Sequence, residues 1–130
     1  LEYLKQAGQL SQNIGYSHIL ACSYTQFALL QLSQVKSPNR VKSAIDKLKR
    51  AVEITDGNGL RRAAVDAKLN LHLAQLRNRT EIVENCVEAL KALLNEATQL
   101  DYRAGKMKVH AALGLAYLGG EPTLADIIKQ

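Results

Sequence analysis

Slid against itself by 42 residues, the sequence aligns without gaps, and no other feature limits its fold as strongly. Leu29, Leu71 and Leu113 share one column; Phe27, Leu69 and Ala111 share another; Leu30, His72 and Gly114 a third. In the second half of each unit Pro38, Thr80 and Pro122 coincide, followed by Val41, Val83 and Ala125, then Ala44, Cys86 and Ile128. Ile45 pairs with Val87, and Leu48 with Leu90. Self-similarity at a period of roughly 20 to 50 residues marks a repeat architecture, in which one supersecondary unit is copied and stacked.

Each unit reads as two helices. The spacing predicts helices over 17–34 and 38–55, over 59–77 and 80–98, and over 101–118 followed by a last one from 122. The opening LEYLKQAGQLSQNIG reads as the second helix of a preceding unit, with Tyr3, Leu4, Ala7 and Leu10 on one face. The expected count is about six helices. The chain is divided as 1–15 (end of a preceding repeat), 16–57, 58–99 and an incomplete 100–130. It begins at Leu1 in mid-pattern, as a piece of a longer protein would. Ser37-Pro38 sets a capping hydroxyl before a proline whose missing N–H costs nothing at the first helical position. Thr80 is the expected cap in the next unit. Asp56-Gly57-Asn58-Gly59 and Gly119-Gly120 supply residues that tolerate a left-handed helix end.

The apolar pattern explains why such hairpins stack. Val41, Ala44, Ile45, Leu48, Ala51 and Val52 form one stripe at helical period, as do Val83, Cys86, Val87, Leu90, Leu93 and Leu94. The helix expected over 59–77 differs. Leu60, Ala63, Ala64, Ala67, Leu71 and Ala74 run along one side, while Val65, Leu69, Leu73 and Leu76 extend around a second. A helix apolar over so much of its girth must be covered on two sides. The expected fold is therefore all-α: antiparallel hairpins stacked as an α-solenoid.

These residues resemble the tetratricopeptide-repeat family, in a long, 42-residue form. Leu113-Gly114-Leu115-Ala116-Tyr117 matches the Leu-Gly-x-x-Tyr of its first helix, Gly120 the turn, and Ala125 the small residue of its second helix. Ala44, Leu48 and Ala51 match the second-helix pattern in the first unit, whereas His72 and Gln75 depart from the pattern in the second. The resemblance implies a right-handed superhelix whose first helices line a concave groove, and a scaffold that binds partner polypeptides rather than an enzyme. The family's carboxylate clamp maps onto Phe27, Gln31, Asn70, Lys108 and Ala112. Only Asn70 and Lys108 are of the right type, so binding of acidic chaperone tails is not expected.

The partner-binding residues expected on the first helices are Tyr24, Gln31, Gln34, Asp66, Asn70, Arg77 and Lys108. No small-molecule cofactor is expected. The net charge of +5 is spread along the chain rather than gathered in a tail. A basic helical module binding nucleic acid is the alternative, set back by the lack of interleaved aromatics and by Glu81, Glu84 and Glu88. A second alternative is self-association, as a homodimer through uncapped solenoid ends. Cys22 and Cys86 sit among apolar residues and read as reduced and buried, as in a cytoplasmic or nuclear protein. No apolar run is long enough to span a bilayer, and no membrane partner is expected. His18, His72 and His110 lack the spacing of a zinc pair on one helix, so no metal is expected, and His110 reads as a packing residue. Asn78-Arg79-Thr80 has the form of a glycosylation sequon but reads as a turn, and the DGNG run lacks the Lys-Ser/Thr of a phosphate loop.

Overall fold

A computed structural model of the chain describes residues 2–34, 37–79 and 82–118; the side chains of Tyr3, Leu4, Ala7, Gly8, Leu10 and Ser11 lie outside the described set. Among the described residues five α-helices follow one another: α1 (Glu2–Ser33), α2 (Pro38–Gly57), α3 (Arg61–Arg77), α4 (Val83–Gln99) and α5 (Arg103–Tyr117). Among the described residues there is no strand. The chain forms two compact units, Leu1–Ala67 and Lys68–Gln130, with the division falling inside α3. The expected features at Thr80, at Gly119-Gly120 and from Pro122 onward, Ala125 and Ile128 included, lie outside the described residues.

In the first unit α1 packs along α2. Ala21, Ala51, Ile54 and Ala67 form a buried cluster, flanked by Leu20, Tyr24 and Val52. Small residues on both helices allow close approach of their axes. Thr55 is the buried polar residue here, and its hydroxyl donates to the carbonyls of Ala51 and Val52 at 2.9 and 3.0 Å. The buried hydroxyl is thereby satisfied. In the second unit α4 packs against α5, burying Cys86, Leu90, Leu93 and Ala97 with Val109, Ala112, Leu113 and Ala116. Lys68 on α3 donates to both carboxylate oxygens of Glu96 on α4, at 3.2 and 3.3 Å.

The 42-residue register is visible in burial. The buried positions Ala44, Leu48, Ala51 and Thr55 of α2 coincide with Cys86, Leu90, Leu93 and Ala97 of α4, all of them buried. It is also visible in the turns. After α2, the N–H groups of Asn58, Gly59 and Leu60 donate to the carbonyls of Ile54, Asp56 and Thr55; after α4, those of Leu100, Asp101 and Tyr102 donate to Glu96, Thr98 and Ala97. Each bond is the copy of its counterpart one unit on. The bond reaching back five residues, with a left-handed residue just before its donor, is the Schellman ending of a helix. The left-handed positions are Gly59 at φ 68° and Asp101 at φ 51°.

Three expectations are corrected. No separate helix ends near residue 15: α1 runs unbroken to Ser33. Gly15 is a weak helix former but not a breaker, and no proline interrupts the segment. α4 opens at Val83 rather than at 80, from an extended Ile82 that makes no side-chain cap and has no proline after it such as Pro38 in α2. His110 is exposed rather than packed, since α5 buries the face carrying Val109, Ala112, Leu113 and Ala116. The doubly apolar character of α3 is observed, with Ala64, Ala67 and Ala74 buried together with Val65, Leu69 and Leu76.

Asp101 holds a conformation that glycine adopts without strain, as Gly59 does at the equivalent place. Asp101→Gly is expected to raise stability by about 0.5–1 kcal/mol in urea unfolding. Gly105→Ala is expected to lower it by about 1–3 kcal/mol, because a Cβ at this buried glycine would run into the Tyr102 ring.

Candidate functional site: a cleft between α1 and α2

α1 carries more apolar surface than α2 can cover. Tyr16, Ile19, Phe27 and Leu30 remain 53–68% exposed along it. At 100° per residue, Tyr16, Leu20, Ser23, Phe27 and Leu30 follow one stripe beside the buried one. Where this stripe meets α2, a cavity of about 280 Å³ opens between Leu20, Ser23, Tyr24, Phe27 and Lys47. A second, more polar hollow of about 380 Å³ continues over α2, lined by Tyr24, Asn39, Lys42, Ser43, Asp46, Lys47 and Arg50. Tyr24 and Lys47 belong to both.

Lys47 organises the junction. Its ammonium donates to Gln31 Oε1 at 3.0 Å and to Ser43 Oγ at 2.8 Å, and lies 4.9 Å from the centre of the Phe27 ring. The ring face attracts the cation, and the two oxygens hold it in place. An ammonium has three N–H donors, so a third remains for an incoming acceptor. Two further cations, Lys42 and Arg50, stand on the same face of α2. Arg50 bonds Glu53 at 3.0 Å, but both side chains are largely exposed, so the pair holds Arg50 only weakly. The wall thus combines an apolar pocket with a row of cations, tempered by Asp46.

Of the residues expected to bind a partner, the structure brings Tyr24 and Gln31 together in this cleft. Gln34 is exposed just past the end of α1, its N–H donating to the Gln31 carbonyl at 3.3 Å. Asp66 is half-buried on α3 within the first unit. Asn70, half-buried, and Arg77 and Lys108, exposed, belong to the second unit. The cleft is lined from both helices of its hairpin, and the α2 residues Lys42, Ser43 and Lys47 were not among the expected contacts. Phe27 and Leu30 occupy two columns whose α3 members, Leu69 and His72, are less exposed.

The two thiols differ. Cys86 is fully buried and its S–H points to the His72 carbonyl at 3.7 Å; Cys22 is exposed, against expectation, because it lies off the buried stripe that contains Ala21 and Ala28. Among the described residues no group of three or more His, Cys, Asp or Glu is placed to hold a metal ion, and no helix is long and apolar enough to cross a membrane. The chain matches no family model, no curated protein and no solved structure.

A thiol reagent such as Ellman's is expected to titrate one group per chain rapidly in the native protein and the second only in denaturant. Cys22→Ser removes the fast phase. Equal, fast reaction of both thiols would contradict the burial of Cys86.

Proposed function

We propose that this chain is an interaction module built from tetratricopeptide-like helical hairpins, and that it holds a segment of a partner polypeptide in the cleft between α1 and α2. The observation that carries this reading is the pairing of the Leu20–Tyr24–Phe27 pocket with Lys42, Lys47 and Arg50 on one wall. A volume of about 280 Å³ lies below the usual range of small-molecule sites, about 300–1,000 Å³, and suits one inserted aliphatic or aromatic side chain. Helix-in-groove recognition works through such anchors, spaced at i, i+3 or i+4. The cations add selectivity and speed encounter with an acidic segment more than they add affinity.

The repeated burial register supports the solenoid half of the reading. α2 and α4 each bury one stripe in the same columns, as copies of one unit would. Stacking these copies in a right-handed superhelix, with flanking repeats beyond, is the arrangement the family resemblance adds. A scaffold of this kind works by presenting its clefts in a fixed order within a larger assembly.

A fluorescent amphipathic peptide with leucines at i and i+4 and glutamates beside them is the probe, read by anisotropy. Binding is expected to fall about tenfold or more in Lys42→Glu combined with Lys47→Glu. Phe27→Ala is expected to weaken it about five- to tenfold, from roughly 1 kcal/mol of lost apolar contact. Binding unchanged in both variants would reject the cleft. Preferential binding of single-stranded nucleic acid, with a steep loss on adding salt, would favour the basic-module alternative.

A further inference from the structure

We propose that His18 and Cys22 form one half of a tetrahedral site for zinc or a similar borderline divalent cation, and that the same pair from a second copy of the chain completes it. The two side chains stand one turn apart on α1, both exposed, with Cys22 Sγ 3.8 Å from His18 Nε2. Zinc binds thiolate sulfur at about 2.3 Å and imidazole nitrogen at about 2.0–2.1 Å, and at a tetrahedral angle these lengths put the two donor atoms about 3.6 Å apart. The pair is therefore already spaced for chelation, within a few tenths of an ångström. Contact at 3.8 Å is long for a sulfur hydrogen bond, so the direct S–H···N interaction gives little that a metal would have to displace. Cys22 forms no disulfide.

The histidine spacing concealed this pair because its second member is a cysteine. The site lies off the cleft stripe of Leu20, Ser23 and Phe27, and the inference does not depend on the cleft. The donor set decides the class of metal. A thiolate and an imidazole suit zinc, and hard cations such as calcium and magnesium require oxygen ligands that this pair lacks.

The same set decides the stoichiometry. A structural zinc site takes four protein ligands, and among the described residues no third His, Cys, Asp or Glu joins these two. The neighbours one turn away are Ile14, Gly15, Thr25 and Gln26, none of them a carboxylate, thiol or imidazole. A twofold axis through the metal brings in an identical pair, the simplest closed assembly of two copies. Gly15, at whose Cβ position there is open space, sits beside His18 and leaves room for a second helix to cross. Each thiol gives up its proton to the buffer on binding. Two thiolates then balance the divalent charge, whereas a single copy would leave the complex cationic on a chain already at +5.

The test uses the full chain under a non-thiol reductant. Cobalt(II) is titrated first and followed by absorbance; zinc then replaces it while molecular mass is measured by light scattering. The expected result is a thiolate-to-cobalt charge-transfer band with tetrahedral visible bands, saturating at one metal per two chains. Zinc is expected to double the mass from 14.3 kDa, and a chelator to reverse it. Cys22→Ser and His18→Gln each abolish both signals while retaining helical circular dichroism; Cys86→Ala retains the signals. Absence of the bands in the wild type, their persistence in Cys22→Ser, or saturation at one metal per chain with unchanged mass would overturn the proposal.

Discussion

Leu48 and Leu90 have no exposed surface, and each sits in the middle of a helix that is polar over most of its girth. A helix with a single buried stripe has one way to shed apolar area, which is to lie against another element along that stripe. α2 does so against α1, and α4 against α5. The turns follow from the same demand. A chain reversing direction over so few residues must end each helix with a left-handed residue and recapture the freed carbonyls. Gly59 and Asp101 do this with the same set of hydrogen bonds. Burial and turn geometry thus repeat together, and neither is an incidental match of the other.

The cleft arises where this economy fails. α1 is 32 residues long and apolar on two adjoining stripes, while α2 covers one of them. The second stripe is left facing the solvent with Phe27 in it. Lys47 covers that ring in part, held between Gln31 and Ser43, and in doing so puts a fixed cation at the mouth of an apolar pocket. Those two properties, side by side on helices, are the basis of the proposed binding of an acidic amphipathic segment. The pocket and the cation are consequences of how one hairpin packs, and neither needs a loop to be shaped by a ligand.

What the residues disclosed before any coordinates was chiefly the periodic part. The stripes of α2 and α4, the two-sided burial of α3 and the Ser37-Pro38 start follow from spacing and from caps whose chemistry is local. The misreadings share a cause. Gly15-Tyr16 carries a residue that weakens helices, but a lone glycine with no proline beside it does not end one. Ile82 offers no side-chain cap, so the start of α4 carries no local signal of the Ser37-Pro38 kind. Cys22 and His110 lie among apolar neighbours in sequence, yet successive helical residues point 100° apart, and both fall off the buried stripe. The cleft was half legible. Tyr24 and Gln31 were placed by the first-helix pattern, whereas Lys47 belongs to a helix expected only to support, and its role depends on a packing angle that spacing does not encode.

The central claim is that α2 and α4 carry the same load in the same columns. Urea unfolding of Leu48→Ala and Leu90→Ala measures it most directly. Both side chains are fully buried, so each substitution is predicted to cost about 2–5 kcal/mol, and the two costs should agree within about 1 kcal/mol. A loss of about 3 kcal/mol at one position beside a near-neutral change at the other would show that the columns are alike in sequence but not in physical burden.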